Sequence, residues 1–151
     1  MQLLIEIPQR IRHVYAHSSL WILFAATHVQ ENDILLTLLL ITTFVASVSH
    51  WTWYKHNSIR HHMDRFCASV VILYCFGGNP QAILFATLAV ISFVFTHVII
   101  LTETVRMAWH LVFRFWAFSA CVARNTPYSI QLHLLHTVFY VIHITILWCL
   151  E

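Results

Sequence analysis

The chain has 151 residues, enough for one domain; 60% of them are hydrophobic and only 9% are charged, against about 45–50% and about 25% in an average soluble domain. This composition excludes a disordered chain, a coiled coil and an ordinary soluble domain. The formal net charge of +2 is too small for the basic surface that nucleic-acid binding requires, so we expect no nucleic-acid partner. The 12 histidines stand out, because polar groups inside a membrane bundle are costly and usually functional.

Hydrophobic segments follow one another along the whole chain, separated by short polar breaks. A bilayer core of about 30 Å requires about 20 mostly apolar helical residues. Six segments approach this length: residues 11–29, 33–54, 64–78, 80–102, 105–123 and 128–150. Their apolar runs are continuous rather than alternating, which disfavours β-strands. The sequence therefore predicts a single all-α, multi-pass transmembrane domain over residues 1–151, with five or six hydrophobic helices.

The charges of the first polar stretches predict an orientation in the membrane. Arg10 and Arg12 lie at the start of the chain, Glu31 and Asp33 follow the first segment, and the 55–65 stretch after the second segment is basic. Because basic loops favour the cytoplasmic side, we expect an integral membrane protein with its N terminus and the 55–65 loop in the cytoplasm.

The fifth segment carries a cationic stripe. Arg106, His110 and Arg114 are spaced four residues apart and therefore lie within about 80° on one helix face. Two arrangements are open: a helix lying in the membrane interface, or a span whose stripe faces the bundle, with Arg114 paired to a carboxylate such as Glu103. We expect the interfacial arrangement, because a central Arg facing lipid costs about 2.5–3.5 kcal/mol, whereas a basic residue near anionic headgroups gains about 1 kcal/mol.

A first polar cluster lies where the second segment ends and the third begins. Ser47 and His50 are three residues apart, on one helix face. Asp64 opens the third segment, so that it and His50 lie at the two ends of one loop, at the same membrane surface. An aromatic interfacial belt around His50 and a helix cap at Asp64 would explain the same pattern without any chemistry.

A second cluster lies on the last segment, where His133, His136 and His143 share a face about 80° wide. Three neutral imidazoles suit a catalytic Zn²⁺, which needs three protein ligands and a water; a polar seam between helices is the alternative. The position of these residues depends on the fifth segment. If all six segments span the membrane, only His143 lies near the membrane surface at which His50 lies. If the fifth segment lies in the interface, the last segment begins at that surface, and His133 and His136 are then on the same side as His50.

Together the two clusters resemble the CREST membrane hydrolase superfamily, which includes alkaline ceramidases and progestin/adiponectin-type receptors. The resemblance is carried by SVSHWTWYKHNSIRHHMDRFCAS and LHLLHTVFYVIH. It implies a zinc-dependent lipid amidase or esterase. The implied zinc ligands are His50, His136 and one of His133 or His143. Asp64 would accept a proton from the zinc-bound water, and Ser47 would orient that water or stabilise the oxyanion.

Departures from the family pattern support a second hypothesis. The family has three residues between the serine and the histidine, whereas Ser47 and His50 are separated by two, and Ala46 one turn back from His50 has no hydroxyl. Tyr140 stands where the family's last helix has its second histidine. A non-catalytic structural membrane subunit, with the helical scaffold and a degenerate site, would carry such changes. Membrane lipids are the expected partners in either case.

Two further metal hypotheses are weaker. Three histidine groups faintly resemble the boxes of membrane di-iron enzymes: His13 and His17, then His56, His61 and His62, then His133 and His136. Alternatively, a b-type haem would take His28 or His97 as an axial ligand.

Overall fold

A computed structural model of the protein describes residues 9–29, 32–55, 58–98 and 102–125. The helices are α1 (Gln9–Ser18), α2 (Leu20–Val29), α3 (Ile34–Thr52), α4 (Ile59–Phe76), α5 (Pro80–Val98) and α6 (Glu103–Asn125). Ser19 alone separates α1 from α2. No strand occurs within these four ranges, so the all-α prediction is confirmed for them. The segment expected over 128–150 lies outside the described residues.

The start of α4 differs from the expectation. The Ser58 side chain accepts a hydrogen bond from the backbone N–H of His61 at 3.3 Å, which is the N-cap arrangement. The helix therefore begins at Ile59, and Asp64 lies in its second turn. The prediction that Asp64 opens this helix after a loop over 55–65 is wrong, because the cap lies six residues earlier than the first apolar run suggests.

The helices α5 and α6 form an antiparallel pair. Asn79, just before α5, donates from Nδ2 to the carbonyl oxygen of Ala123 near the end of α6 at 2.6 Å. At the opposite ends, Phe95 stacks on Trp109 with ring centroids 4.7 Å apart. Small side chains line the contact and allow close approach of the two backbones. On these two helices the fully buried alanines are Ala82, Ala86 and Ala89 of α5 and Ala120 of α6.

The bundle is completed by α3, which packs against α2 and α4, and by contacts of α6 with α1, α2 and α4. Arg114 on α6 is only 4% exposed. The expectation that the cationic stripe of the 105–123 segment faces headgroups is therefore wrong for Arg114. The stripe faces the bundle because buried hydroxyl and carbonyl groups of other helices bind the guanidinium, as described below.

Many large hydrophobic side chains are exposed on the bundle, and several polar side chains are buried inside it. Large hydrophobic side chains point outward along α3 and α5, including Ile34, Leu38, Val45, Leu84 and Ile91. Buried polar side chains include Ser18, Ser19, Thr43, Ser47, His50, His61, Ser92, Thr96, Arg114 and Ser119. Two of the described helices, Ile34–Thr52 and Pro80–His97, are long and apolar enough to cross a membrane.

Candidate functional site

A cavity of about 830 Å³ lies among the helices at the end of the bundle where α3 and α5 end and α4 and α6 begin. Its histidine, acidic and basic lining consists of His50, His61, Asp64, Arg65, His97, Arg106 and His110. Its apolar lining runs along α4 and α5 toward the other end and includes Ile72, Leu73, Phe76, Val90 and Phe93. The cavity is therefore polar at one end and apolar along the rest of its length.

Beside this cavity, Arg114 joins three parts of the chain. Its Nη1 donates to the carbonyl oxygen of Tyr15 at 2.6 Å and to the hydroxyls of Ser18 and Ser19 at 2.5 and 2.9 Å. Its Nη2 donates to Ser47 Oγ at 2.7 Å. The junction of α1 and α2 thus supplies three acceptors for a guanidinium on α6, and α3 supplies the fourth.

Ser47 links this arginine to Asp64. Its oxygen accepts hydrogen bonds from Arg114 and, at 3.1 Å, from Ser19, and its side chain hydrogen-bonds to the Asp64 carboxyl, on which the charge of Arg114 also acts. A hydroxyl offers one donor and two acceptor positions, so these three contacts use all of them. Ser47 and Asp64 therefore lie together, as the sequence pattern suggested, but the Ser47 hydroxyl is engaged by neighbouring side chains.

His50 lines the polar end of the cavity and is only 1% exposed. Its Nε2 is 3.4 Å from Nδ1 of His61, which lies in the first turn of α4. The ring of Trp51 lies 4.6 Å and that of Tyr54 5.3 Å from the His50 ring, centroid to centroid. His50 and Asp64 line the same cavity. The imidazole is therefore held among aromatic rings, with a second imidazole nitrogen directly opposite.

The imidazole nitrogens around His50 are of a kind that binds zinc, and they supply part of a zinc site. Imidazole nitrogens are good Zn²⁺ ligands, and His50 and His61 face each other from neighbouring helices. The other implied ligands, His133, His136 and His143, lie outside the described residues. Within the described part of the chain, no group of three His, Cys, Asp or Glu side chains is placed to hold a metal ion.

Two cavity residues, His61 and His110, and Arg114 beside the cavity were not assigned to the zinc site by sequence reasoning. His61 was grouped with its exposed neighbour His62, although His61 is three residues from Asp64 and so shares its helix face. His110 packs its ring against Tyr15 at 4.6 Å, and its Nε2 is buried without a hydrogen-bond partner among the described residues. Arg114 was expected at the surface, and nothing near it in sequence points to its acceptors.

The remaining histidine candidates have local partners or exposed positions. His28 and His97, the suggested haem ligands, hydrogen-bond through Nδ1 to the carbonyl oxygens four residues earlier, at 2.9 and 3.0 Å. His13 and His17 are exposed, whereas His61 is buried. The described members of the histidine boxes therefore differ in environment rather than sharing one pocket.

A second polar cluster lies at the opposite end of the bundle. Asp33 accepts hydrogen bonds from the Tyr74 hydroxyl at 3.0 and 3.1 Å and from Arg124 at 3.4 Å. The Arg124 guanidinium lies over the Tyr74 ring, 4.2 Å from its centroid. This cluster ties the start of α3 to the ends of α4 and α6.

No protein-family model, curated protein or solved structure matches the chain. The resemblance to the CREST superfamily rests on the quoted residues alone.

Proposed function

We propose that the chain is an integral membrane protein whose helices cross the bilayer several times. The distribution of side chains supports this: Ile34 is 73% and Leu38 57% exposed, while Ser47 and Arg114 are buried. Apolar residues outside and small or polar residues between helices are typical of membrane bundles. Lys55 and Arg65 lie near the cavity end, so the positive-inside rule assigns that end to the cytoplasm.

Within this bundle, we propose a zinc-dependent hydrolase that acts on a lipid amide or ester. The observation that carries the proposal is the convergence of Ser47, His50 and Asp64 beside one large cavity. Its apolar walls fit an acyl chain, and its polar end fits the bond to be cleaved. Zn²⁺, when bound, would supply a water that is acidic enough to act near neutral pH.

The chain's own residues divide the remaining work. Asp64 lies at the polar end of the cavity and accepts the proton of the attacking water. Ser47 is a positioning residue, since its hydroxyl binds Asp64 while Arg114 and Ser19 hold its oxygen. Arg114 in turn fixes Ser47 from α6. In this proposal Ser47 positions Asp64, whereas the family resemblance implies that Ser47 itself orients the water or stabilises the oxyanion.

A non-catalytic structural subunit is the second candidate, and a specific observation favours it. The Ser47 hydroxyl makes its three hydrogen bonds within the helix interface, an arrangement that serves packing without any substrate. In this alternative the polar network holds helices together, and the cavity accommodates lipid.

The deciding experiment measures metal content and hydrolysis on the same purified protein. The full chain, in detergent micelles, is analysed by metal mass spectrometry and incubated with a fluorogenic long-chain N-acyl amide and a fluorogenic long-chain ester. We expect one Zn per chain and slow hydrolysis. The Asp64→Asn variant should keep the zinc and lose about 10²–10⁴-fold in rate.

Asp33→Asn is the matched control, because Asp33 lies at the far end of the bundle and its loss should leave the rate per folded chain unchanged. Zinc-loaded protein that cleaves neither substrate would support the structural subunit instead, as would a chain without metal. Bound iron would support the di-iron or haem hypothesis.

A further inference from the structure

The long cavity opens sideways between α4 and α5. Its wall residues Leu73, Phe76 and Val90 are 69%, 37% and 42% exposed, so this part of the cavity is continuous with the outer surface of the bundle. The helix α4 packs mainly against α3, and α5 packs mainly against α6, which leaves a cleft between the two helix pairs. In the proposed membrane arrangement this cleft faces hydrocarbon, so a lipid can enter it from the side.

The cavity is long enough for one acyl chain. Along α4 its lining runs from His61 to Phe76, and these 15 residues (76 − 61) rise roughly 22 Å. One leaflet provides about half of the hydrocarbon core, or about 15 Å, so an acyl chain of ordinary membrane length fits along this wall. The volume of about 830 Å³ lies within the range of about 300–1,000 Å³ that holds one small ligand. The cavity therefore suits a lipid with a single chain.

Two arginines meet at the polar end of the cavity. Arg65 comes from α4 and Arg106 from α6. The positive charges of both act on His97 of α5, so the two guanidiniums approach one place from different helices. Like charges placed side by side repel each other, and an anion between them converts this repulsion into attraction. The polar end therefore has the charge arrangement of an anion-binding site.

The acidic residue of the cavity does not balance these charges. Asp64 is the one carboxylate among the lining residues that the structure describes. Its carboxyl is hydrogen-bonded to Ser47, and the charges of both Arg114 and Arg65 act on it. At and beside this end, the described part of the wall therefore carries more positive than negative charge, which favours an anionic ligand.

We propose that the cavity binds a single-chain lipid with an anionic headgroup, a carboxylate or a phosphate, whose chain lies along α4 and whose headgroup lies between Arg65 and Arg106. A guanidinium presents its N–H donors in a planar fork that matches two oxygens of a carboxylate or phosphate. The inference rests on the proposed function and narrows the substrate to an acyl amide or ester with a negatively charged leaving group. Asp64 directly precedes Arg65 in α4, so the proposed base lies near the bond that joins chain and headgroup.

The test measures lipid binding by the full-length protein, released from detergent micelles for native mass spectrometry. The probes are N-oleoylglycine and N-oleoylethanolamine, which share the acyl chain and the amide but end in a carboxylate and a hydroxyl, respectively. A third probe, 1-oleoyl lysophosphatidate, supplies a phosphate. Four proteins are compared: the wild type, Arg65→Gln, Arg106→Gln and Arg60→Gln. Arg60 is exposed on α4 and is not part of the cavity lining, so it is the matched control for the loss of one charge.

We expect the wild type to bind N-oleoylglycine at least about 10-fold more tightly than N-oleoylethanolamine, since hydrogen bonds to charged groups contribute at least this factor. Arg65→Gln and Arg106→Gln should each lose most of this preference, and Arg60→Gln should keep it. A preference shown by lysophosphatidate alone also supports the inference and assigns the headgroup as a phosphate. A wild type that binds both anionic lipids no more tightly than the neutral lipid overturns the inference. A preference that survives in both cavity variants, with helical content unchanged by circular dichroism, overturns it as well.

Hydrolysis of the same lipids separates this inference from the proposed hydrolase. An anionic preference that depends on Arg65 and Arg106, without cleavage of any of the three lipids, supports the inference and refutes the enzyme. Cleavage of N-oleoylglycine and N-oleoylethanolamine with equal kcat/KM supports the enzyme and refutes the inference.

Discussion

Replacing Arg114 by Met tests whether the buried guanidinium holds the helices together. Methionine fills a similar volume but leaves Ser47 and the α1–α2 junction without their donor, and Asp64 without its nearby charge. Hydrogen bonds to a charged group contribute about 1.5–3 kcal/mol each, but their losses do not add because the acceptors relax together. Breaking one member of a buried charge pair costs about 3–5 kcal/mol, which is the loss of unfolding free energy we expect.

The measurement is unfolding in mixed micelles with increasing SDS, followed by the fluorescence of the 6 tryptophans. Arg60→Met is the control, because Arg60 is exposed and such changes usually stay within about 0.5 kcal/mol. Arg114→Lys should lose less than Arg114→Met, since it keeps the charge without the planar fork. Adding Asp64→Asn to Arg114→Met should recover part of the loss, because no unpaired carboxylate then remains.

Two results would refute this reasoning. The first is a loss below about 1 kcal/mol in Arg114→Met, which is less than one buried hydrogen bond of this kind contributes. The second is a double variant whose loss equals the sum of the two single losses, because coupled groups in contact do not behave additively.

Further predictions concern the opposite end of the bundle and the orientation. Gly78→Ala should destabilise the protein by about 1–3 kcal/mol, because a Cβ at Gly78 would lie 3.0 Å from a backbone carbonyl oxygen and 3.2 Å from another Cβ. Gly77→Ala is the control in the same unfolding assay. It should be tolerated, because a Cβ at Gly77 would have its nearest contacts at 3.5 and 3.7 Å. Tyr74→Phe should lose about 1.5–3 kcal/mol, the value of a hydrogen bond to a charged group such as Asp33. A cysteine at Lys55 should react with a membrane-impermeant thiol reagent only when the cytoplasmic face is accessible; labelling from outside alone would reverse the orientation.

The helices were largely predictable because continuous apolar runs separated by polar breaks leave few alternatives. The sequence predicted a break between the segments 64–78 and 80–102, and in the structure α4 ends at Phe76 and α5 begins at Pro80. The start of α4 was missed because Ser58 caps a first turn of mostly polar residues. Such a turn has no apolar run, so only the cap geometry reveals it.

The candidate site was predictable where its members are close in sequence. Ser47, His50 and Asp64 lie within one hairpin, and helix periodicity with one short connection brings them to one end of the bundle. The acceptors of Arg114 could not be inferred in this way, since Tyr15 and Ser18 are 99 and 96 residues away from it. When the partners of a buried charged side chain are this far away in the sequence, the sequence alone does not distinguish it from a charged residue at the surface.

The hydrogen bonds of Arg114 to residues far away in the sequence also imply an order in which the helices are inserted. Arg114 obtains its partners from α1, from the junction of α1 with α2 and from α3, all of which are synthesised before α6. A guanidinium at the centre of a hydrophobic helix costs about 2.5–3.5 kcal/mol to insert when nothing pairs with it. In the proposed membrane arrangement, the α5–α6 hairpin is therefore a poor substrate for the translocon by itself. It integrates stably once the earlier helices stand beside it, so the N-terminal half of the chain acts as an intramolecular insertion partner for the half that follows.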